Sequence, residues 1–117
     1  MNDTLLTMAR SSYKAAKILY KESLLNCTGY HLQLAAELAI RYCLESAGIT
    51  PGYEVRDITG LLEICRKVGV DCGVTEWIVN NAGTLTMWEK MSSEVGHQVD
   101  GEAVKRALIE VDKYILA

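Results

Sequence analysis

The single proline, Pro51, constrains the fold more than any other feature of the sequence. A proline removes a backbone donor, and its ring clashes with the preceding helical turn, so a chain with one proline is free to be helical almost throughout. Nowhere do β-branched and polar residues alternate over four or more positions, as they would in a half-buried strand. The sequence therefore predicts an all-α fold.

Apolar residues at helical spacing predict five helices, each bounded by a capping residue or a glycine. They run from an Asp3/Thr4 cap to about Ser23, from a Thr28 cap to Gly48, from Asp57 to Gly69, from about Thr75 to Ser92, and from an Asp100 cap onward. Five helices with short connections form an up-and-down bundle, with the least polar helix, the second, in its middle. At ~100–200 residues per domain, residues 1–117 are predicted to be one domain, a four- or five-helix bundle.

Composition limits the class of protein. No apolar run approaches the ~18 residues of a membrane span, and "MNDTLLTMAR" lacks the long apolar stretch of a signal peptide. We therefore expect a cytoplasmic protein with no membrane contact. The net charge of −3 argues against broad, sequence-blind binding to nucleic acid but leaves room for a local basic cleft.

The cysteines have no C-x-x-C spacing, and each lies on or beside a predicted helix. Without a secretory signal they are interpreted as small buried hydrophobes rather than disulfide partners. No close pair of ligands predicts a metal site, and we expect no cofactor. The four residues are Cys27, Cys43, Cys65 and Cys72.

A polar stripe crosses the otherwise apolar second helix. It contains Gln33, Glu37, Arg41 and Glu45 at i, i+4 spacing, and Glu37 precedes Arg41 in the better orientation for a helical ion pair. One interpretation is a stripe facing water or a groove, worth about a few tenths of a kcal/mol. The other is a polar cleft or a dimer seam, where loss of one partner would cost several kcal/mol.

The first half of the chain resembles the HEPN domain, the nucleotide-binding domain of higher eukaryotes and prokaryotes. The resemblance lies in "LTMARSSYKAAKILYKES", "YHLQLAAELAIRYCLESAGI" and "VRDITGLLEICRKVGV", and covers about residues 4–70. The family has an alanine-rich first helix, a Q-x-A-x-E-x-x-x-K/R helix, Gly-Ile, a loop, and His-Asp-Leu before a Leu-Leu helix. The matching residues are Gln33, Ala35 or Ala36, Glu37, Arg41, Gly48, Ile49, Asp57, Leu61 and Leu62.

The resemblance implies a helical bundle that is usually a homodimer and often has a minimal nucleotidyltransferase as its partner. Such pairs occur in toxin–antitoxin and defence systems. The family contains metal-independent ribonucleases as well as non-catalytic modules that bind nucleotides, RNA or a partner protein.

The catalytic motif of the family, an arginine followed after four to six residues by a histidine, is absent. The nearest match is Lys90 and His97, with six residues between them, and Arg56 replaces the histidine of His-Asp-Leu. We therefore predict a non-catalytic HEPN-like module. One alternative is a ribonuclease in which His97 is the general base and Lys90 stabilises the phosphorane. The other is a helical interaction protein of unrelated ancestry.

The candidate nucleotide- or RNA-binding residues are Tyr53, Arg56, Lys90 and His97. Tyr53 and Arg56 lie beside a predicted helix N-terminus, where free N–H groups favour anions. For all four, ordinary solvated loop or surface residues are the competing interpretation.

Two further patterns lie on predicted helices. Trp77 and Trp88 are eleven residues apart and would project the same way, either to stack a base or to fill the core or a dimer interface. A basic stripe at i, i+4, i+7 and i+11 on the first helix could contact RNA phosphates, an acidic partner or only water. It consists of Arg10, Lys14, Lys17 and Lys21.

Overall fold

The computed structural model describes residues 3–52, 55, 57–91 and 98–115. Within these ranges the regular secondary structure is entirely helical, so the predicted all-α class is confirmed. The candidate site residues Tyr53, Arg56 and His97 lie outside the described residues. The helices are α1 (Thr4–Lys21), α2 (Leu25–Ser46), α3 (Ile58–Val68), α4 (Glu76–Asn80), α5 (Ala82–Met91) and α6 (Gly101–Ile115).

Helix α2 is the central element, as its apolar composition predicts. It packs along α1 and also contacts α3, α5 and α6. Leu32, Ile40 and Leu44 on α2 are fully buried. Gly29 lets α5 approach closely, since a Cβ atom there would lie 3.2 Å from the ring of Trp88.

The predicted start of α2 is wrong by one turn. The helix begins at Leu25, and Thr28 lies inside it, fully buried. Its Oγ1 donates to the carbonyl of Leu24 at 2.9 Å, so the hydroxyl is satisfied within the helix and does not cap the N-terminus.

Other helix ends match the sequence. The Asp57 carboxylate accepts from the Gly60 N–H at 2.6 Å, and the Thr75 hydroxyl accepts from the Ile78 N–H at 3.3 Å, as N-caps do. Asp3 precedes α1, but its side chain makes no capping hydrogen bond to that helix. Its carboxylate accepts instead from the Tyr42 hydroxyl at 3.3 Å.

The predicted fourth helix is two helices. Asn81 separates α4 from α5, and its side-chain amide donates to the carbonyl of Trp77 at 2.8 Å. The same carbonyl also accepts from the backbone N–H of Asn81 at 3.0 Å, so this backbone hydrogen bond is kept where the two helices meet. Trp88 is buried in the core at 2% exposure, whereas Trp77 is half-buried, so the two tryptophans have different surroundings.

The interpretation of the cysteines is also wrong in part. Cys43 on α2 and Cys72 in the α3–α4 connection form a disulfide, with their Cα atoms 5.7 Å apart. Cys27 is an exposed free thiol, and only Cys65 is the small buried residue that was expected. The packing of α3 against α2 brings together two cysteines 29 positions apart, which their spacing in the sequence does not reveal.

In the described part of the chain, no helix has the length and apolar character needed to cross a bilayer. Among the same residues, no group of three or more histidine, cysteine or acidic side chains is arranged to hold a metal ion.

Candidate functional site

The polar stripe of α2 is buried inside the bundle over most of its length. Gln33 is 1% exposed, and the side chains of Glu37 and Arg41 are each 13% exposed. Glu45, the last member, is exposed. The stripe therefore does not face water, except at its C-terminal end.

Glu37 is the centre of this stripe. Its carboxylate accepts from Gln33 Nε2 at 2.9 Å and from Arg41 Nε at 3.3 Å. Arg41 also donates through Nη2 to the backbone carbonyl of Val55, which lies in the α2–α3 connection. The buried charges are thus paired with each other and tie α2 to this connection.

Burial raises the pKa of Glu37, because desolvation disfavours its charged form. The hydrogen bonds from Gln33 and Arg41 and the charge of Arg41 act in the opposite direction, while the negative charge of Glu89 on α5 adds to the increase. Glu89 therefore links this stripe electrostatically to the last turn of α5, where Lys90 is exposed. The pairing of Lys90 with His97 and its catalytic use stay predictions.

The basic stripe of α1 has the opposite surroundings. Arg10, Lys14, Lys17 and Lys21 are all exposed. Eleven residues separate the first from the last, so their positions extend over roughly 16 Å of the helix axis. Among the described residues, no ion pair involves a member of this stripe.

The C-terminal half of this stripe borders a groove between α1 and α6. The groove has a volume of about 420 Å³. Its lining combines basic, aromatic and apolar side chains with one carboxylate. The lining residues are Tyr13, Lys17, Tyr20, Lys21, Leu108, Ile109 and Asp112. We call this the α1–α6 groove.

The two tyrosines of the α1–α6 groove differ in their contacts. Tyr13 is buried, its ring lies 5.8 Å from Lys17 Nζ, and its hydroxyl donates to Asp112. Burial, the hydrogen bond to Asp112 and the charge of Asp112 together raise the pKa of Tyr13 to about 12. Tyr20 is only half-buried, so part of its ring is open to the groove.

A second polar groove, between α4 and α6, has balanced charges. Its volume is about 370 Å³, and its lining includes Trp77, Glu76 and Glu110. Glu110 is 4% exposed and pairs with Arg106 (3.1 Å) and Lys113 (3.4 Å). Because its cations are already paired with a buried carboxylate, this groove suits a polyanion less well than the α1–α6 groove does.

Sequence reasoning found the basic stripe but missed the tyrosines beside it. Lys17 lies four residues after Tyr13, Tyr20 three after Lys17 and Lys21 four after Lys17, so these aromatic and basic residues share one helix face. This pattern was present in the sequence and could have indicated the groove. The contribution of Asp112 from α6, however, depends on how the helices pack.

Fold and site together describe a small helical module with an apolar central helix that carries one polar stripe, and with a basic, tyrosine-containing groove. The HEPN domain model matches residues 3–110, and the chain belongs to the HEPN domain family. The resemblance noticed in the first half therefore extends over nearly the whole chain. Comparison with curated proteins and with solved structures gave no match.

Proposed function

We propose that this protein is a non-catalytic HEPN module that binds the phosphates and bases of nucleotides or RNA in the α1–α6 groove. The family match supports a nucleotide- or RNA-related module in general. The observation that carries the finer proposal is the exposed basic stripe of α1 beside a half-buried tyrosine ring.

The chemistry of the groove suits a nucleotide chain. Lysines neutralise phosphates, and an aromatic ring stacks a base without regard to its identity. Lys17, Lys21 and Tyr20 supply both kinds of group on one helix face. The four cations extend over roughly 16 Å, farther than one phosphate group can bridge, which favours single-stranded RNA over a mononucleotide.

The non-catalytic part of the proposal follows from the arginines. None is followed by a histidine at the family's catalytic spacing. The side chain of Arg41 is 13% exposed and donates to Glu37 and to the carbonyl of Val55, so its guanidinium is engaged within the bundle. A guanidinium held in this way supports a structural role rather than stabilisation of a phosphorane.

Partners belong to the same proposal. The protein would act in the cytoplasm. As the resemblance implies, it would be a homodimer beside a minimal nucleotidyltransferase, in a toxin–antitoxin or defence system. Ile18 and Met87 are 63% and 54% exposed, and a subunit interface would cover such apolar side chains. Sedimentation showing a monomer at tens of micromolar would contradict the homodimer.

The binding test titrates a labelled single-stranded RNA and, separately, ATP into the purified protein. We expect the RNA to bind more tightly than ATP. The double variant K17Q/K21Q should bind the RNA at least tenfold more weakly, while K67Q/K105Q should bind as the wild type does. The control also removes two exposed lysines, from α3 and α6. Equal weakening in both variants would show non-specific attraction and contradict the proposed groove.

Tyr20→Leu separates stacking from charge. It keeps an apolar side chain of similar reach but removes the aromatic face, and stacking is worth about 1–3 kcal/mol per base. We expect RNA affinity to fall about 5- to 150-fold, since 1.4 kcal/mol is tenfold. Unchanged affinity would exclude stacking on Tyr20.

A metal-free cleavage assay addresses the alternative, a ribonuclease. We expect the RNA to stay intact in the presence of EDTA. Cleavage that is lost in both Lys90→Ala and His97→Ala would overturn the non-catalytic assignment.

A further inference from the structure

Three of the four cysteines form one cluster. Cys43 comes from α2, Cys65 from α3 and Cys72 from the α3–α4 connection. Cys43 and Cys72 are joined as a disulfide, and the thiol sulfur of Cys65 lies 3.6 Å from the sulfur of Cys72. Cys72 thus has a second sulfur in contact besides the one to which it is bonded.

Two of these cysteines, Cys43 and Cys72, are partly exposed, whereas Cys65 is buried. Cys43 and Cys72 line a groove of about 470 Å³ that also contains Arg10 and Tyr42, whereas Cys65 is 8% exposed and is not part of its lining. A small reagent in this groove would therefore lie beside both bonded cysteines. The guanidinium of Arg10 offers a cation to a reagent that carries carboxylates, as glutathione does.

We propose that this cluster is a thiol–disulfide exchange site for a small anionic thiol and its disulfide, in which Cys72 bonds to either Cys43 or Cys65. The inference does not require RNA binding, because it rests on the three sulfurs and on the groove beside them, to which Arg10 contributes the cation.

The internal exchange needs no external oxidant. The Cys65 thiol loses its proton to solvent, and the thiolate electron pair forms a bond to the sulfur of Cys72. The bond between Cys72 and Cys43 breaks, and its electron pair remains on Cys43, which takes up a proton. One disulfide and one thiol are present before and after the step, and the free thiol now lines the groove.

The external thiol and disulfide open and close the same bond. A glutathione thiolate attacks the sulfur of Cys43, Cys72 leaves as a thiolate, and a mixed disulfide remains on Cys43. The reverse reaction restores the protein disulfide and releases the glutathione. Burial raises the pKa of the Cys65 thiol, so little of it is thiolate and its attack on Cys72 is slow.

Trypsin separates the cysteines, which makes the test direct. Each cysteine lies in its own tryptic peptide: Cys27 in 22–41, Cys43 in 42–56, Cys65 in 57–66 and Cys72 in 68–90. The reduced protein is reoxidised with a glutathione redox buffer, quenched with acid and N-ethylmaleimide, digested and analysed by mass spectrometry.

We expect the wild type to give mainly the linked pair 42–56/68–90, with a smaller amount of 57–66/68–90. C43S should give 57–66/68–90 as its main disulfide, and C65S should give only 42–56/68–90. Cys27, which is exposed and not part of the cluster, should stay unlinked to the other three.

Two results would overturn the proposal. In one, Cys65 of C43S is fully alkylated, and so forms no disulfide, in the same buffer that links Cys43 to Cys72 in the wild type. The other is a wild type in which Cys43 and Cys72 both remain alkylated in every ratio of the buffer. Far-UV circular dichroism checks that C43S keeps its helices, and C43A replaces it if it does not.

Discussion

Two polar stripes of this bundle share helical spacing but have opposite surroundings. On α2, Gln33 is buried, Glu37 and Arg41 are each only 13% exposed, and both Gln33 and Arg41 donate to Glu37. On α1, the basic stripe is exposed and borders the α1–α6 groove. Spacing alone therefore does not distinguish a stripe that holds the fold together from one that is available to a ligand, whereas the sign pattern does. The α2 stripe carries opposite charges that can satisfy each other, and the α1 stripe carries only one sign.

The largest effect is expected from breaking the buried pair. Arg41→Ala leaves the carboxylate of Glu37 buried without its cation and the carbonyl of Val55 without this donor. Removing one partner of a buried pair costs about 3–5 kcal/mol. Urea unfolding at pH 8 measures this loss as a decrease in the free energy of unfolding.

The control for that experiment lies on the same helix. Glu45→Ala removes the exposed end of the same stripe and should change the free energy of unfolding by less than about 0.5 kcal/mol. If Arg41→Ala cost no more than Glu45→Ala, the α2 stripe would not differ from a surface stripe.

The pH dependence of stability sharpens the comparison. The pKa of Glu37 is higher in the folded protein than its ordinary value of 4.5. At a pH between the ordinary pKa and the folded-state pKa, the folded state therefore binds more protons than the unfolded state. The stabilisation from this group is complete below about pH 4.5 and is lost as the pH rises through the higher, folded-state pKa.

Glu37→Gln isolates this contribution. We expect the stability of the wild type, measured relative to E37Q by urea unfolding from pH 4 to pH 8, to decrease as the pH rises. A difference that stays constant or increases with pH would contradict the raised pKa.

A smaller effect is expected in the α1–α6 groove. Tyr13→Phe removes the hydroxyl that donates to Asp112 but keeps the buried ring. The loss of one such hydrogen bond costs about 0.5–1.5 kcal/mol. Thermal unfolding measures it, with Tyr20→Phe as the half-buried control, for which we expect a change within about 0.5 kcal/mol. If Tyr13→Phe and Tyr20→Phe lowered the free energy of unfolding equally, the hydrogen bond to Asp112 would not contribute to stability.

The smallest effect on stability is expected from the basic stripe itself. K17Q/K21Q should unfold within about 0.5 kcal/mol per substitution of the wild type, because both side chains are exposed. A much larger loss of unfolding free energy would mean that these lysines stabilise the fold and are not simply exposed side chains available to a ligand.

The parts of the structure that depend on local physics could be predicted from the sequence. The helix ends at Gly48 and Gly69 follow from a residue that tolerates the left-handed conformation, with φ values of 83° and 73°. The cap at Asp57 and the central place of α2 follow in the same way from residue type and apolar pattern.

The features that the sequence did not reveal are the disulfide, the break between α4 and α5, and part of the groove lining. The Cys43–Cys72 disulfide requires α3 to pack on α2. The apolar spacing from Thr75 onward predicts one helix and gives no sign of the break at Asn81. For the candidate site, the basic stripe was visible in the sequence, but Asp112, which completes the α1–α6 groove, was not.

The salt dependence of RNA binding tests the central claim most directly. Each phosphate contact on a single strand contributes about 0.7 to the slope of log K against log salt. We predict that K17Q/K21Q lowers the slope for a single-stranded RNA by about 1.4, whereas K67Q/K105Q leaves it unchanged. Equal slopes for the wild type and K17Q/K21Q would contradict a phosphate-binding role for the basic stripe of α1.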